Sequence, residues 1–199
     1  KAQEILLFKE CYASEKCHGT SSHISYQYPA LDHEVQADVK PQLRFFAGGI
    51  PHENFVKIFN EEDLLDKFNK LKDGWLSQDN KIMIYGEAYG GKCQGMSHTY
   101  GKDLRFIAFE VKIGYVWLNV PDAHDVATKL GLEFVPYEKV STDVEVLTQQ
   151  RDLPSRIARR RGIQEDKMAE GVVLRPLIEL RKNNGERIIC KHKRDEFRE

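Results

Sequence analysis

Long apolar runs are missing from this 199-residue chain. No stretch approaches the roughly 20 apolar residues of a bilayer-spanning helix, and the N-terminus lacks the pattern of a secretory signal. We therefore expect an intracellular protein that has no contact with membranes. The chain begins with Lys rather than Met, so the sequence leaves room for a flanking domain outside it.

Cysteine is scarce and shows no pairing pattern. The four cysteines, at positions 11, 17, 93 and 190, include no CxxC pair and no spacing typical of a zinc site. A small domain held together by disulfides or zinc is therefore excluded. We expect a reducing compartment, either the cytoplasm or an organelle reached through a targeting segment that has been removed.

Excess charge of either sign is also absent. The chain has 30 Lys and Arg against 31 Asp and Glu, and its net charge is −1. This balance argues against a surface that binds nucleic acid everywhere by bulk electrostatics. A polynucleotide must meet local basic patches, for which the arginine-rich segment 151–161 is the best candidate; a solvated helix face is its alternative interpretation.

The remaining composition suits one globular domain, and 41% of the residues are hydrophobic. Capped amphipathic patterns predict helices over 60–74 and 122–131 and a further short helix capped near Thr142. Strand patterns cover 5–8, 11–28, 82–85, 106–111, 116–120, 171–175 and 187–193. This order favours an α+β fold with mainly antiparallel sheets and flanking helices over a doubly wound parallel sheet.

Lys16 lies in the most informative segment, between two short predicted strands and before a glycine. At the ordinary lysine pKa of about 10.4, only about one lysine in two thousand is neutral at pH 7. A nucleophilic lysine therefore needs burial or nearby positive charge. Lys191 and Lys193 supply such charge, because alternate residues of a strand point to one side.

A predicted hairpin connects these lysines to a carboxylate. The dipeptide 184–185 is Asn-Gly, which is preferred in two-residue type I′ turns. That turn places Pro176 opposite Lys193 and puts Glu170 on the face that carries Lys191 and Lys193. A pocket with one carboxylate and two ammonium groups follows from this register.

Two other segments are candidates for binding a nucleotide. Residues 85–91 form a strand end that runs into a glycine-rich loop containing Glu87, for which a surface turn is the alternative. In the strand 106–110, Phe106 is the candidate for stacking on a base, and Phe109 is assigned to the core.

Taken in order, these segments resemble the signature of the covalent nucleotidyltransferases, which are ligases and mRNA capping enzymes. The matching elements are Glu15-Lys16-x-His18-Gly19, Tyr85-Gly86-Glu87, residues 106–110, Glu170-Gly171-Val172-Val173 and Lys191-x-Lys193. DNA ligases and capping enzymes generally have Asp at the position of His18. Lys-x-His-Gly followed by Thr or Ser is similar to the nick-sealing RNA ligases of phages and of trypanosome RNA editing, and so are segments 44–49 and 85–96.

The resemblance implies a single nucleotidyltransferase (adenylation) domain over residues 1–199 and the activity of an ATP-dependent RNA ligase. Lys16 would attack the α-phosphate of ATP, AMP would pass to an RNA 5′-phosphate, and an RNA 3′-OH would displace it. The implied cofactors are ATP and Mg²⁺ or Mn²⁺, the implied partner is RNA with these two ends, and we expect a monomer. A DNA ligase, a capping guanylyltransferase and a non-catalytic nucleic-acid-binding module stay open as alternatives.

The resemblance also implies residue roles. Catalysis is assigned to Lys16, His18, Glu170, Lys191 and Lys193, with Glu170 near the metal. Nucleotide binding is assigned to Lys16, Lys191 and Lys193 together with Glu15 (through its backbone, at the base edge), Arg44 (at the ribose), Glu87 (at a ribose hydroxyl) and Phe106 (stacked on adenine).

Overall fold

The computed structural model describes residues 3–28, 40–73 and 81–197. In chain order its strands are β1 (Glu10–Glu15), β2 (Thr20–Gln27), β3 (Gln42–Ala47), β4 (Ile82–Tyr89), β5 (Arg105–Ile113), β6 (Val116–Trp117), β7 (Glu133–Phe134), β8 (Tyr137–Ser141), β9 (Gly171–Pro176) and β10 (Cys190–Lys193). The α-helices are α1 (His52–Val56), α2 (Glu61–Asp73), α3 (Ser97–Tyr100), α4 (Val120–Lys129), α5 (Val144–Asp152) and α6 (Arg156–Arg160). Short 3₁₀ helices cover Gln3–Leu7, Cys93–Gly95 and Asp195–Phe197.

These elements divide into two compact units. The first contains residues 1–19, 89–105 and 135–199, and the second contains residues 20–88 and 106–134. The first unit holds a four-stranded sheet in the order β10-β9-β1-β8, and the second holds a sheet in the order β3-β2-β4-β5-β6 with β7 beside β5. β5 and β7 pair in parallel, whereas β1–β8, β1–β9, β9–β10, β2–β3, β2–β4 and β5–β6 are antiparallel pairs. The predicted α+β fold with mainly antiparallel sheets is therefore confirmed. The prediction of a single domain stays a prediction.

The core of the first unit lies on one face of its sheet. It is formed by the buried side chains of Ile5, Cys11, Ala13, Leu147, Val172 and Leu174. These residues come from the N-terminal 3₁₀ helix, β1, α5 and β9, so α5 and the 3₁₀ helix cover the two central strands. Small side chains at positions 11 and 13 suit this close approach. The strand predicted over 5–8 is wrong, because Gln3–Leu7 is a 3₁₀ helix.

The helix patterns are largely confirmed, although two predicted caps are wrong. Helix α2 is capped as predicted, since the Asn60 side chain accepts a hydrogen bond from the Asp63 N–H at 3.1 Å. Helix α4 begins at Val120, before the predicted cap Asp122, with a proline in its first turn. Helix α5 is capped by Asp143, whose side chain accepts from the Glu145 N–H, while the Thr142 hydroxyl donates to the Phe8 carbonyl.

The second unit has an aromatic core on one face of its sheet. Phe106 packs against Phe55 and Phe59 with ring centroids 5.8 and 5.7 Å apart. Gly86 on β4 permits this packing, because a Cβ at that position would lie 2.5 Å from the Phe106 ring. Glycine is therefore required where β4 and β5 run side by side.

The hairpin that ends the first unit differs from its prediction. Gly185 donates to the Lys182 carbonyl and Lys182 donates to the Glu186 carbonyl, which makes a three-residue turn rather than a two-residue one. Gly185 has φ +85°, and in the described ranges Gln94 is the single non-glycine residue with positive φ. The type I′ conformation, which needs positive φ at both central residues, is therefore wrong for Asn184.

Candidate active site

Lys16 lies in the four-residue connection between β1 and β2, and its backbone is held on both sides. The Glu15 N–H donates to the Pro136 carbonyl and the Lys16 N–H donates to the Gly171 carbonyl, each at 2.9 Å. At the end of β1 the backbone is thus hydrogen-bonded on one side to the segment at Pro136 and on the other to the start of β9 at Gly171. The base of the Lys16 side chain is therefore held in a defined place.

Four charged or titratable groups meet at the end of the Lys16 side chain. Lys16 Nζ is 2.8 Å from Oε2 of Glu170, and the Nδ1 atom of His18 is 3.1 Å from the same oxygen. Lys193 Nζ is 3.0 Å from the other oxygen, Oε1. The Glu170 side chain is 3% exposed, so one buried carboxylate gathers the three other groups.

The electrostatics of Glu170 follow from these contacts. Burial alone would raise the pKa of its carboxyl group, but hydrogen bonds from Lys16, Lys193 and His18 outweigh burial and lower the pKa below its usual 4.5. Glu170 is therefore ionised at neutral pH. The site combines a fixed negative charge with cations that face it.

The register of β9 and β10 corrects the predicted pocket. Lys193 lies opposite Gly171 and Lys191 opposite Val173, rather than Lys193 opposite Pro176. The observed partner of Lys193 is an odd number of residues away from the predicted one, and side chains alternate between the two faces of a strand. The predicted register therefore assigned Glu170 to the face of the two lysines for a wrong reason. Glu170 reaches Lys193 because it precedes β9, where the chain turns at Gly171.

Gly171 makes this approach possible. Its φ of +144° lies in the region that favours glycine, and a Cβ there would lie 2.2 Å from the His192 carbonyl oxygen. The Arg194 N–H also donates to the Glu170 carbonyl at 3.0 Å. The Glu-Gly dipeptide therefore brings the end of β10 against the carboxylate. Lys191 is exposed, and its predicted role in catalysis and nucleotide binding stays a prediction.

His18 is positioned by residues that the sequence did not single out. Its backbone N–H donates to the hydroxyl oxygen of Tyr100 at 3.2 Å, and Tyr100 is fully buried. The imidazole ring lies 5.4 Å from the ring of Phe197. No local signal marked Tyr100 or Phe197, because both contacts join segments far apart in the chain.

Glu15 has a structural role that was not predicted. Its Oε1 accepts from the Ser155 hydroxyl at 2.5 Å, and its Oε2 accepts from the N–H groups of Arg156 and Ile157 at 2.8 and 3.1 Å. Burial raises the pKa of Glu15, and these three hydrogen bonds oppose the rise. The side chain thus ties the residue before Lys16 to the first turn of α6. Ser155 could have been found from the sequence, as a helix cap three residues before Ala158.

We predict that Glu15→Ala lowers the free energy of unfolding by about 2 kcal/mol, because it leaves the buried Ile157 N–H, the part-buried Arg156 N–H and the Ser155 hydroxyl without their acceptor. Glu15→Gln should lose less at pH 7, since the amide oxygen still accepts and carries no charge into the buried site. Urea denaturation measures both. Glu138→Ala, at an exposed partner of Arg156, serves as the control and should change stability by less than about 0.5 kcal/mol. Equal stability of Glu15→Ala and the control would contradict this structural role.

The remaining predicted nucleotide residues lie in the second unit. Glu87 on β4 lies opposite Ser21, and Arg44 on β3 lies opposite Ser25. Because Ser21 and Ser25 are on the same side of β2, Glu87 and Arg44 share one face of the sheet. Both roles stay predictions. Phe106 belongs to the aromatic core on the opposite face and is 4% exposed, so its packing gives no support to stacking on adenine, whereas Phe109 is half-buried.

The arginine-rich segment 151–161 is largely paired within the chain. Arg151 pairs with Asp152, Arg156 with Glu138 and Arg159 with Asp166. Arg161 donates to the carbonyl of Asp103. These contacts favour the interpretation of the segment as a solvated surface.

A metal ion would find only part of its ligand shell in this site. In the described ranges no three His, Cys, Asp or Glu side chains come together as a group that could hold a metal ion. Glu170 offers carboxylate oxygens of the kind Mg²⁺ prefers, but each already faces an ammonium group. Oε2 would be open to a cation only after the Lys16 ammonium leaves it, with His18 Nδ1 still 3.1 Å from that oxygen and with phosphate and water as the other ligands.

This arrangement agrees with the comparison of the whole sequence with protein families. The sequence model described as RNA ligase matches residues 9–193. The chain belongs to the RNA ligase family. No curated protein matches the sequence significantly.

Solved structures of an RNA ligase from Naegleria gruberi share this fold. A mutant of that enzyme with AMP and Mn has a TM-score of 0.64 at 13% identity, covering 98% of this chain and 52% of that chain. The same enzyme with PPi has a TM-score of 0.62 at 14% identity, covering 98% and 53%. The chain thus spans about half the length of these RNA ligases. Their likeness confirms the nucleotidyltransferase fold.

The described ranges contain no helix that is long and apolar enough to cross a bilayer.

Proposed function

We propose that this chain is the catalytic domain of an ATP-dependent RNA ligase in which Lys16 carries AMP. The observation that supports this most directly is the contact of Lys16, His18 and Lys193 with one buried carboxylate, Glu170. A lysine in an ordinary surface ion pair would not share its partner with a second lysine and a histidine. Family membership and the AMP complex of the Naegleria enzyme agree with this role.

The first step is attack by Lys16 Nζ on the α-phosphorus of ATP. The N–P bond forms while the bond from that phosphorus to the bridging oxygen of the β-phosphate breaks, and pyrophosphate leaves. The Lys16 ammonium must first give up one proton to solvent, because only the neutral amine can attack. Glu170 holds Nζ at a fixed position until ATP takes the place of the ion pair.

Lys191 and Lys193 both lie on β10, and both are proposed to face the phosphates. Alternate residues of a strand point to one side, so a phosphate chain on that side would meet both ammonium groups. A divalent cation beside Glu170 would add positive charge to the α-phosphate oxygens. Glu87 and Arg44 are proposed to contact the ribose, and Glu15 to present its backbone to the base.

In the later steps, a 5′-phosphate oxygen of RNA displaces Lys16 from AMP, and an RNA 3′-OH then displaces AMP. His18 is proposed to act there, because an imidazole can donate or accept a proton at a phosphate or a hydroxyl group. This role is supported by the contact of His18 Nδ1 with Oε2 of Glu170, the oxygen that Lys16 Nζ also contacts. A monomer and an intracellular location stay predictions.

We predict that His18→Ala retains adduct formation within about tenfold but slows sealing of preadenylated RNA by about 100-fold or more. Lys16, Glu170 and Lys193 remain to perform the first step, whereas the proposed proton-transferring group of the later steps is lost. Adduct yield from labelled ATP and sealing of a preadenylated strand measure the two stages separately. His98→Ala, at an exposed histidine of α3, is the control. Loss of the adduct with sealing intact would place His18 in the nucleotide step instead.

The proposed function is tested by incubating the chain with labelled ATP or GTP and Mg²⁺, followed by a panel of nicked RNA and DNA. An RNA ligase forms an adduct with ATP and seals RNA breaks. An adduct with GTP would indicate a guanylyltransferase, and sealing of DNA alone would indicate a DNA ligase. No adduct with either nucleotide would support a non-catalytic binding module.

A further inference from the structure

A row of four aromatic side chains crosses the sheet of the second unit. Phe46 on β3 stacks on His23 of β2 with a centroid distance of 4.9 Å and an interplanar angle of 20°. His23 lies 5.7 Å from Tyr85 of β4, and Tyr85 lies 5.2 Å from Trp117 of β6. The register agrees, because His23 is opposite both Phe46 and Tyr85. We call these four residues the aromatic row.

The aromatic row lies on the face opposite the aromatic core of this unit. On β2 the core side carries Ile24 and Tyr26, both fully buried, and His23 points the other way. Cross-strand aromatic pairs stabilise a sheet, and this accounts for the half-buried rings of His23, Tyr85 and Trp117. It does not account for the exposure of Phe46, which lies at the end of the row on the edge strand.

Phe46 is 50% exposed, and it is the single exposed phenylalanine in the described ranges. Its ring is stacked on the imidazole, so it is held in one orientation by the row behind it. An aromatic ring that is both oriented and open to solvent offers a planar surface to another planar group. The row therefore ends at a preformed stacking surface.

Positive charges flank the aromatic row. Arg44 is exposed and lies two residues from Phe46 on the same face of β3. Lys112 Nζ lies 5.2 Å from the centroid of the Trp117 ring. Exposed rings with cations beside them suit a ligand that combines planar bases with phosphates, because bases stack on aromatic side chains and phosphates attract cations.

We propose that the aromatic row is a stacking platform for an unpaired base of the RNA substrate, with Phe46 as the ring that the base contacts. Aromatic residues on a sheet surface bind single-stranded RNA in this manner in other folds. Of the flanking cations, Lys112 takes a backbone phosphate of the RNA, since Arg44 is proposed at the ribose of ATP. The choice of RNA as the ligand rests on the proposed ligase function, whereas the stacking surface rests on the rings themselves.

The test is the affinity of the chain for a fluorescein-labelled single-stranded oligouridylate RNA, measured by fluorescence anisotropy at fixed salt. Phe46→Ala should weaken binding by about 5- to 100-fold, as expected for the loss of one base–aromatic stack. Phe46→Leu should weaken it similarly because it keeps an apolar side chain but no ring, and Phe46→Trp should retain it. Tyr115→Ala, at a 94% exposed aromatic residue in the same unit, should bind as the wild type does.

A parallel measurement of the adduct with labelled ATP separates this proposal from the function it rests on. Phe46→Ala should form the adduct at the wild-type rate, because a base of RNA and not adenine of ATP contacts the ring. RNA affinity unchanged by Phe46→Ala, or no measurable RNA binding by the wild type, would overturn the platform. So would a raised ATP requirement with RNA affinity unchanged, which would assign the ring to the nucleotide. Failure of the wild type to form an adduct, with the RNA-binding differences intact, would remove the ligase function and leave the platform.

Discussion

Lys16→Ala is expected to abolish the covalent adduct with AMP and to leave the fold intact. The Nζ atom is the proposed nucleophile, and no other group on this carboxylate can replace it in geometry. The fold should persist because the hydrogen bond from the Lys16 N–H to the Gly171 carbonyl belongs to the backbone. Labelled ATP measures the adduct, and circular dichroism with thermal unfolding measures the fold.

Lys16→Arg separates charge from nucleophilicity. Arginine keeps a positive partner for Glu170, but it does not deprotonate in proteins, so this variant should also form no adduct. Lys139→Ala, at an exposed lysine of β8, should form the adduct as the wild type does. Undiminished adduct in Lys16→Ala would remove the central proposal.

Glu170→Gln is expected to slow adduct formation by about 100-fold or more, because Lys16 loses the carboxylate that holds it and Lys193 loses its counter-charge. It should also lower the free energy of unfolding at pH 7 by about 2 kcal/mol. Removing one partner of a buried ion pair costs more in general, but Lys16, His18 and Lys193 are 19%, 31% and 34% exposed and so are partly solvated. Single-turnover adenylation and urea denaturation measure the two effects.

The stability difference between wild type and Glu170→Gln should depend on pH. The pKa of Glu170 is lowered in the folded protein, so its contribution is present above the usual value of 4.5 and is lost as pH falls through the lowered pKa. The gap should therefore narrow below about pH 4. Glu15, whose pKa is raised, is common to both proteins and drops out of the difference. A gap that is constant from pH 7 to pH 3.5 would show that the charge of Glu170 does not stabilise the fold.

The position of Lys16 could be predicted from the sequence because its signals are local. Lysine before His-Gly, between two strand patterns, marks a short connection that interrupts extended structure, and the structure has that connection between β1 and β2. Helix α2 could also be predicted from the sequence, since its apolar spacing and its Asn60 cap are properties of one segment. Structure that depends on contacts between residues close in the chain can therefore be predicted from the local sequence pattern.

The hairpin shows where local reasoning fails. Asn184-Gly185 correctly marked a turn, but the turn type and the bend at residues 177–178 set the register, and one residue of difference exchanges the faces of a strand. Glu170 and Lys193 were correctly expected to meet, although the geometry used to bring them together was wrong. Gly171, with its unusual φ, is the residue that makes their contact possible.

The sequence by itself determined the class of fold and indicated Lys16 as the proposed nucleophile together with the charged residues around it. It could do so because strand and helix periodicity and the order of short motifs are properties of the linear chain. Only the tertiary structure decided which of these residues touch. It made Glu15 a cap of α6, placed Phe106 in a core, tied His18 to Tyr100, and aligned four aromatic rings from four strands. Each of these contacts joins residues that are distant in the chain, and their pairing depends on sheet register and side-chain packing, which periodicity does not specify.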